Sequence, residues 1–185
     1  MKKAFPITLM IFGLVFVAAG IYTVNRGFDA RSQVRGELVA QRITTTSDAA
    51  IPNVPVQDAK TAKVMADIID HHSREATGGR TYSQMGRYLA KDGTDTNDET
   101  LAVKDAGGKP VANPLRTVAF QAAALRTSLY TSVMAFNVAE LVIGLGLLIG
   151  ALGLAVGGIG VALGGLAIPA LARRFHVEPV AARNV

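Results

Sequence analysis

The sequence predicts an all-α membrane protein: two transmembrane helices and an extracytoplasmic helical hairpin with an irregular loop, in which a small β-hairpin could form. Two observations support this fold class. Apolar residues concentrate in two segments, Ala4–Val24 and Val133–Ala172, and the chain between them is an ordinary polar sequence. Each segment is also long enough to cross the hydrocarbon core of a bilayer, which requires about 20 residues of helix.

The first apolar segment follows Lys2 and Lys3 and contains no charged residue. A secretory signal peptide would have an apolar core of only ~7–15 residues before a small-residue cleavage site, for which Val17-Ala18-Ala19 is a candidate. The uninterrupted length of Ala4–Val24 favours an uncleaved anchor. Residues 1–25 are therefore predicted to form an N-terminal transmembrane anchor.

The second apolar segment carries one ionisable residue, Glu140. As a single helix it would be about 60 Å long, twice the hydrocarbon thickness, so we expect a break at Gly157-Gly158. This predicts a second transmembrane helix at residues 133–156, then a glycine-rich interfacial or re-entrant segment and a basic cytoplasmic tail at residues 157–185. The alternative is a tight hairpin that makes residues 157–172 a third span.

The charges that flank the two segments predict their orientation. Lys2 and Lys3 precede the first segment, and Arg173 and Arg174 follow the second. Basic residues next to a span favour the cytoplasmic side. Both termini are thus expected in the cytoplasm of a multi-pass protein of the cell membrane, with residues 26–132 forming an extracytoplasmic helical domain.

Composition excludes several classes of function. The net charge is +5, but the polar region has no basic stripe with interleaved aromatic residues, so nucleic acid is not an expected partner. The chain has no cysteine, which excludes disulfides, thiolate metal sites and cysteine nucleophiles. No cofactor is expected. The expected partners are the lipid bilayer and either other membrane protein subunits or a second copy of the chain.

Glycines recur in the second apolar segment at a spacing that permits close helix contact. Four of them are the predicted helix-packing residues: Gly146, Gly150, Gly153 and Gly157. Gly13 and Gly20 in the first span could form the opposite surface.

In the polar region the sequence predicts two helices that face each other. The first runs from Asp58 to Thr77, because Gly78 suits the left-handed position after a helix. The second begins with Asn113 as N-cap and Pro114 in the first turn and continues into the second span. Apolar spacing predicts the facing seams: Ala62, Met65, Ile69, His72 and Ala76 on one helix, and Leu115, Val118, Ala122, Leu125 and Leu129 on the other.

Between these helices, Lys91–Asn113 is predicted to be an irregular loop. Its acidic part, Lys91–Glu99, is expected to be solvated and disordered. Leu101–Lys104 and Pro110–Ala112 are β-compatible runs around a glycine pair, so they could form a small hairpin.

Two segments, His72–Tyr82 and Leu125–Phe136, resemble signature segments of a family of small bacterial two-span membrane proteins, often labelled aromatic-ring-opening dioxygenases. The resemblance covers most of the chain through the second span. The label implies Fe(II) held by two histidines and a carboxylate. His71 and His72, however, point about 100° apart on one helix, and His176 follows the last span. A two-histidine site is therefore not favoured.

Six residues are candidates for a functional role. Inserting the Glu140 side chain into hydrocarbon would cost about 2.5–3.5 kcal/mol of free energy on insertion scales. Asn137 lies about one helical turn before it. His72 with Glu75, spaced i and i+3, could form a metal-binding or pH-sensitive pair, and His71 with Glu75, spaced i and i+4, could do the same. Arg80 and Tyr82 belong to a glycine-initiated segment that is either a binding loop or a simple turn.

These observations favour a non-enzymatic, membrane-anchored structural or accessory subunit of a membrane or cell-envelope complex. No catalytic arrangement of side chains is recognisable. One alternative is a homo-oligomeric pore or transport component that uses Glu140. The other is the metal-dependent ring-opening dioxygenase that the family label implies.

Overall fold

The computed structural model describes the backbone of residues 4–174 and the side chains of residues 4–165. The helices are α1 (Ala4–Ala40), α2 (Ala59–Ala76) and α3 (Pro114–Arg174), with a single 3₁₀ turn at Tyr82–Gln84. Two short strands are β1 (Tyr88–Leu89) and β2 (Asp95–Thr96). The described residues fall into two compact units: the apolar unit, residues 4–29 with 139–174, and the polar unit, Ala30–Val138.

Helices α1 and α3 are both long and apolar enough to cross a membrane. Most of their large apolar side chains are exposed rather than buried; Leu14 and Leu148, for example, are 71% and 70% exposed. Helix α1 extends without interruption to Ala40, so the polar residues after the first apolar segment continue the same helix.

The predicted break at Gly157-Gly158 is wrong, because α3 continues through both residues to Arg174. Glycine weakens an isolated helix by about 1 kcal/mol relative to alanine. Here the loss is offset by close packing: a Cβ on Gly13 would lie 2.5 Å from Gly157 Cα. The side chains of Arg173 and Arg174, and all of Lys2, Lys3, His176 and the predicted tail after Arg174, lie outside the described residues.

In the apolar unit, α1 and α3 contact each other through small residues that recur every seventh position. We call this contact the glycine seam, and its residues are buried: Pro6, Gly13, Gly20 and Gly27 on α1, and Ala139, Gly146, Gly153 and Gly160 on α3. A seven-residue repeat keeps one stripe of each helix facing its partner along the whole contact.

At the glycines of the seam the two backbones approach so closely that a side chain would not fit. A Cβ on Gly20 would lie 2.6 Å from Gly150 N, and one on Gly146 would lie 2.7 Å from Val24 N. A Cβ on Gly153 would likewise lie 2.6 Å from Val17 N. Of the four glycines singled out in the sequence, Gly146 and Gly153 thus face α1. A Cβ on Gly157 would lie 3.6 Å from Gly13 Cα, an ordinary contact, and a Cβ on Gly150 would meet no atom of the described residues within 4 Å.

The core of the polar unit is built from three helices and the segment before α2. Its buried residues are Leu38 on α1, Val56 before α2, Ala62 and Ala66 on α2, and Leu129 and Phe136 on α3. The predicted seams of two facing helices are therefore only partly right: Ala62, Ala122 and Leu129 are buried, but His72, Ala76, Leu115, Val118 and Leu125 are exposed. For α2 the reason is that its buried residues share one core with residues of both α1 and α3, so its buried face is not the one that a two-helix hairpin requires.

Side chains define the ends of the helices in the way the sequence predicts. Asp58 Oδ1 accepts the Thr61 N–H at 2.8 Å, and Thr61 Oγ1 accepts the Asp58 N–H at 3.2 Å, which completes a capping box. Gly78 follows α2 with φ 63°. Asn113 Oδ1 accepts the Leu115 N–H at 3.0 Å.

The segment between α2 and α3 is more ordered than the sequence predicts. β1 and β2 pair antiparallel, with Tyr88 opposite Thr96, so the expectation of a disordered acidic loop at Lys91–Glu99 is wrong. Gly93, with φ 84°, permits the turn between the strands, and Asp92 Oδ1 accepts the Thr94 N–H at 3.0 Å. The predicted small hairpin forms through a bridge between Lys104 and Pro110.

Candidate functional site

Two clefts of the polar unit have Tyr82 in common among their lining residues. The first, the Asp70 cleft, has a volume of about 240 Å³ and brings together residues from both signature segments of the sequence. Its polar lining consists of Asp70, Ser73, Arg74, Arg80, Thr81, Tyr82, Ser83 and Arg126. Arg80 and Tyr82, both predicted as candidates, therefore lie beside Arg126, which is far from them in sequence.

The arginines of the Asp70 cleft are paired with carboxylates of the same chain. Asp70 accepts from Arg74 Nε at 2.9 Å and from Arg126 Nη1 at 2.7 Å. Arg80 Nη1 lies 2.6 Å from Asp95 Oδ1. Such charge-assisted hydrogen bonds are stronger than neutral ones. Asp70 thereby links α2 to α3, and the Arg80–Asp95 pair links the segment after α2 to β2.

Asp95 also accepts a hydrogen bond from the Gly86 N–H. The Arg80 guanidinium, and after it this backbone N–H, hold the pKa of the Asp95 carboxyl below its ordinary value, because both favour the charged form. The carboxylate is thus charged at neutral pH, and it links Arg80 to the strand β2.

The second cleft, the Arg116 cleft, has a volume of about 270 Å³ and lies where α3 begins. It is lined by Tyr82, Arg87, Ala112, Asn113, Arg116, Thr117 and Phe120. The Arg116 guanidinium carbon lies 4.0 Å from the centroid of the Tyr82 ring, a cation–π contact. The Phe120 ring lies 5.7 Å from the same ring. This stacking fixes the guanidinium in the cleft.

Of the two histidine–glutamate pairs that the spacing on α2 allows, His71 with Glu75 is present and His72 with Glu75 is not. His72 Nε2 lies 2.7 Å from Asp48 Oδ2, and His71 Nε2 lies 3.4 Å from Glu75 Oε1. The loop after α1 brings Asp48 to His72, whereas the i, i+4 spacing on α2 favours the His71–Glu75 contact. Within the described part of the chain, histidine and acidic side chains form no group of three that could hold a metal ion.

Glu140 and Asn137 are both exposed on α3. Ala139, the neighbour of Glu140, belongs to the glycine seam, so the carboxylate lies outside the contact between α1 and α3. Among the ion pairs of residues 4–165, none includes Glu140. A polar partner for this carboxylate would therefore have to come from outside the contact between α1 and α3.

Sequence reasoning missed most residues of the two clefts, including Asp70, Arg74, Arg87, Arg116 and Arg126. One local signal was available, since Asp70 and Arg74 have the i, i+4 spacing of a helical ion pair. The contacts of Arg126 with Asp70 and of Arg116 with Tyr82 join residues more than 30 positions apart, and no local pattern indicates them.

Comparison with known proteins gives no match: no family model, no curated protein and no solved structure is similar to this chain.

Proposed function

We propose that the chain is a non-enzymatic structural or accessory subunit of a membrane or cell-envelope complex, anchored in the bilayer by α1 and α3. The observation that carries this proposal is the glycine seam. It joins two long apolar helices backbone to backbone and leaves their large apolar side chains exposed. Glycine contacts of this kind are typical of helix association within lipid, and lipid would solvate the exposed side chains.

In this proposal the chain crosses the cell membrane twice, with both termini in the cytoplasm and the polar unit outside. The basic residues Lys2, Lys3, Arg173 and Arg174 support this orientation. The resemblance of His72–Tyr82 and Leu125–Phe136 to a family of two-span membrane proteins agrees with it. The oxygenase activity of the family label is not proposed, because each histidine contacts a different carboxylate, Asp48 for His72 and Glu75 for His71.

The topology can be tested with single cysteines, because the natural chain contains none. We expect a membrane-impermeant thiol reagent to label Ser47→Cys and Thr96→Cys in intact cells, but to label Asn184→Cys only after the cells are permeabilised. The unmodified chain is the control for background labelling. If Asn184→Cys is labelled in intact cells, two spans with both termini inside are excluded and a third span is required.

A second candidate function, a homo-oligomeric pore or transport component, is favoured by the exposed position of Glu140. A carboxylate inside a membrane requires a polar partner or a water-filled path, and the contact between α1 and α3 does not include it. A second copy of the chain could supply the partner.

Self-association in mild detergent tests this second candidate. Interhelical hydrogen bonds in membranes contribute about 0.6 kcal/mol on average and up to ~1.7, so Glu140→Leu should weaken association about 3- to 18-fold at RT ≈ 0.59 kcal/mol. Glu140→Gln should retain association if the acid is protonated, and should behave like Glu140→Leu if it is ionised and paired with a cation. Equal association of all three forms would eliminate Glu140 as an assembly residue.

A further inference from the structure

The two clefts beside Tyr82 differ in how their arginines are neutralised. In the Asp70 cleft the chain supplies its own carboxylate to Arg74 and Arg126. In the Arg116 cleft the lining includes no acidic residue. Neither Arg87 nor Arg116 takes part in an ion pair among residues 4–165.

The Arg116 cleft is also held in shape by contacts that leave its charges free. Arg116 Cζ lies 4.0 Å from the centroid of the Tyr82 ring, and Arg87 Cζ lies 5.6 Å from the centroid of the Tyr88 ring. Asn113 is buried and is occupied by hydrogen bonds to Gly86 O and from the Leu115 N–H. Arginines that are ordered by stacking lose less freedom when they bind a ligand.

From this arrangement we infer that the Arg116 cleft binds an oxyanion of the phosphate class through the guanidinium groups of Arg87 and Arg116. A guanidinium presents N–H donors in a planar fork that matches two oxygens of a phosphate group. The Thr117 hydroxyl lines the same cleft and adds a neutral donor. In the adjoining cleft, the Asp70 carboxylate accepts from two guanidinium groups in the way that this oxyanion would.

The volume and the lining residues of the cleft limit the size and the chemical class of the ligand. A volume of about 270 Å³ holds a phosphate group with a small organic body but is below the ~300–1,000 Å³ of drug-sized sites. Phe120 offers an apolar surface for such a body. A small phosphorylated molecule fits these features better than an extended polymer.

If the proposed membrane topology is accepted, the position of the cleft indicates whether the phosphate group belongs to a lipid or to a soluble compound. Arg116 lies about 25 Å along α3 from Val133, where the second span is predicted to begin, at ~1.5 Å per residue. The headgroup region on each side of the hydrocarbon is only ~5–8 Å thick. The ligand of this cleft is therefore a soluble phosphate compound, and a lipid headgroup is the alternative that the experiment must separate.

The test is calorimetric titration of the full chain in neutral detergent with inorganic phosphate at constant ionic strength. We expect saturable binding to the natural chain. Arg116→Gln and Arg87→Gln should each weaken it at least tenfold. Arg116→Lys, which keeps the charge and loses the fork, should also weaken it. Lys109→Gln removes one positive charge outside the cleft, and binding should be unchanged.

Circular dichroism of each variant establishes that it is folded. Two further arms use nanodiscs made of neutral lipid only or containing anionic phospholipid. Equal phosphate affinity in both supports a soluble ligand, and competition by anionic lipid assigns the site to headgroups and overturns that part of the inference. The proposed site is wrong if the natural chain shows no saturable phosphate binding. It is also wrong if Arg116→Gln leaves the phosphate affinity unchanged. Neither result bears on the topology, which the cysteine labelling tests separately.

Discussion

Gly146→Ala should destabilise the folded chain by about 1–3 kcal/mol, the usual cost of forcing an extra methyl group into a packed contact. The added Cβ would lie 2.7 Å from Val24 N and 2.9 Å from Gly20 O. Both atoms belong to backbone, which cannot rotate away, so α1 and α3 must separate. The free energy of unfolding can be measured by titration with sodium dodecyl sulfate, followed by circular dichroism.

Gly150→Ala is the matched control, one helical turn further along α3. A Cβ at Gly150 meets no atom within 4 Å, and alanine favours helix over glycine by about 1 kcal/mol. This variant should therefore be as stable as the natural chain, or more stable by up to ~1 kcal/mol. The two identical substitutions thus have opposite expected signs, and a similar loss of stability in both would show that the seam does not lie on Gly146.

Phe136→Ala is expected to have the largest effect on stability, a loss of about 3–5 kcal/mol as for other buried phenylalanines. Phe136 is 2% exposed and is one of the largest fully buried side chains of the described residues. It packs in the core cluster with residues of α1 and α2. Its truncation leaves a cavity that three helices would have to close together.

Phe28→Ala is the control for this prediction, because Phe28 is 53% exposed. Its truncation creates no cavity, and the change in unfolding free energy should stay within about 0.5 kcal/mol. Both variants can be compared in the same detergent titration. Similar losses for the two would mean that Phe136 is not a core residue.

The sequence predicted those features of the fold that depend on local chemistry. The lengths of the apolar segments predicted two long helices. Asp58 and Asn113 predicted helix starts because each accepts backbone N–H groups of the turn that follows it. Gly78 predicted the end of α2, because glycine adopts positive φ without steric cost. Each of these predictions involves residues within about one helical turn.

Features that depend on a distant partner were predicted poorly. The glycine spacing suggested helix contact, but both Gly146 and Gly150 satisfied it, and only the position of α1 distinguishes them. His72 was assigned to a helix seam and instead contacts Asp48, because the loop after α1 passes beside it. The break expected at Gly157-Gly158 was inferred from length and glycine content, without the support that α1 provides.

The Asp70 cleft and the Arg116 cleft show the same difference between features set by local sequence and features set by distant contacts. The sequence by itself determined that the polar region is helical, nearly balanced in charge and free of cysteine. Only the tertiary structure decided that Asp70 neutralises Arg74 and Arg126, and that Arg116 lies on Tyr82 with no carboxylate partner among residues 4–165. The physical reason is range: helix propensity and capping act over a few residues, whereas charge pairing and packing depend on which distant segments the fold brings within about 4 Å.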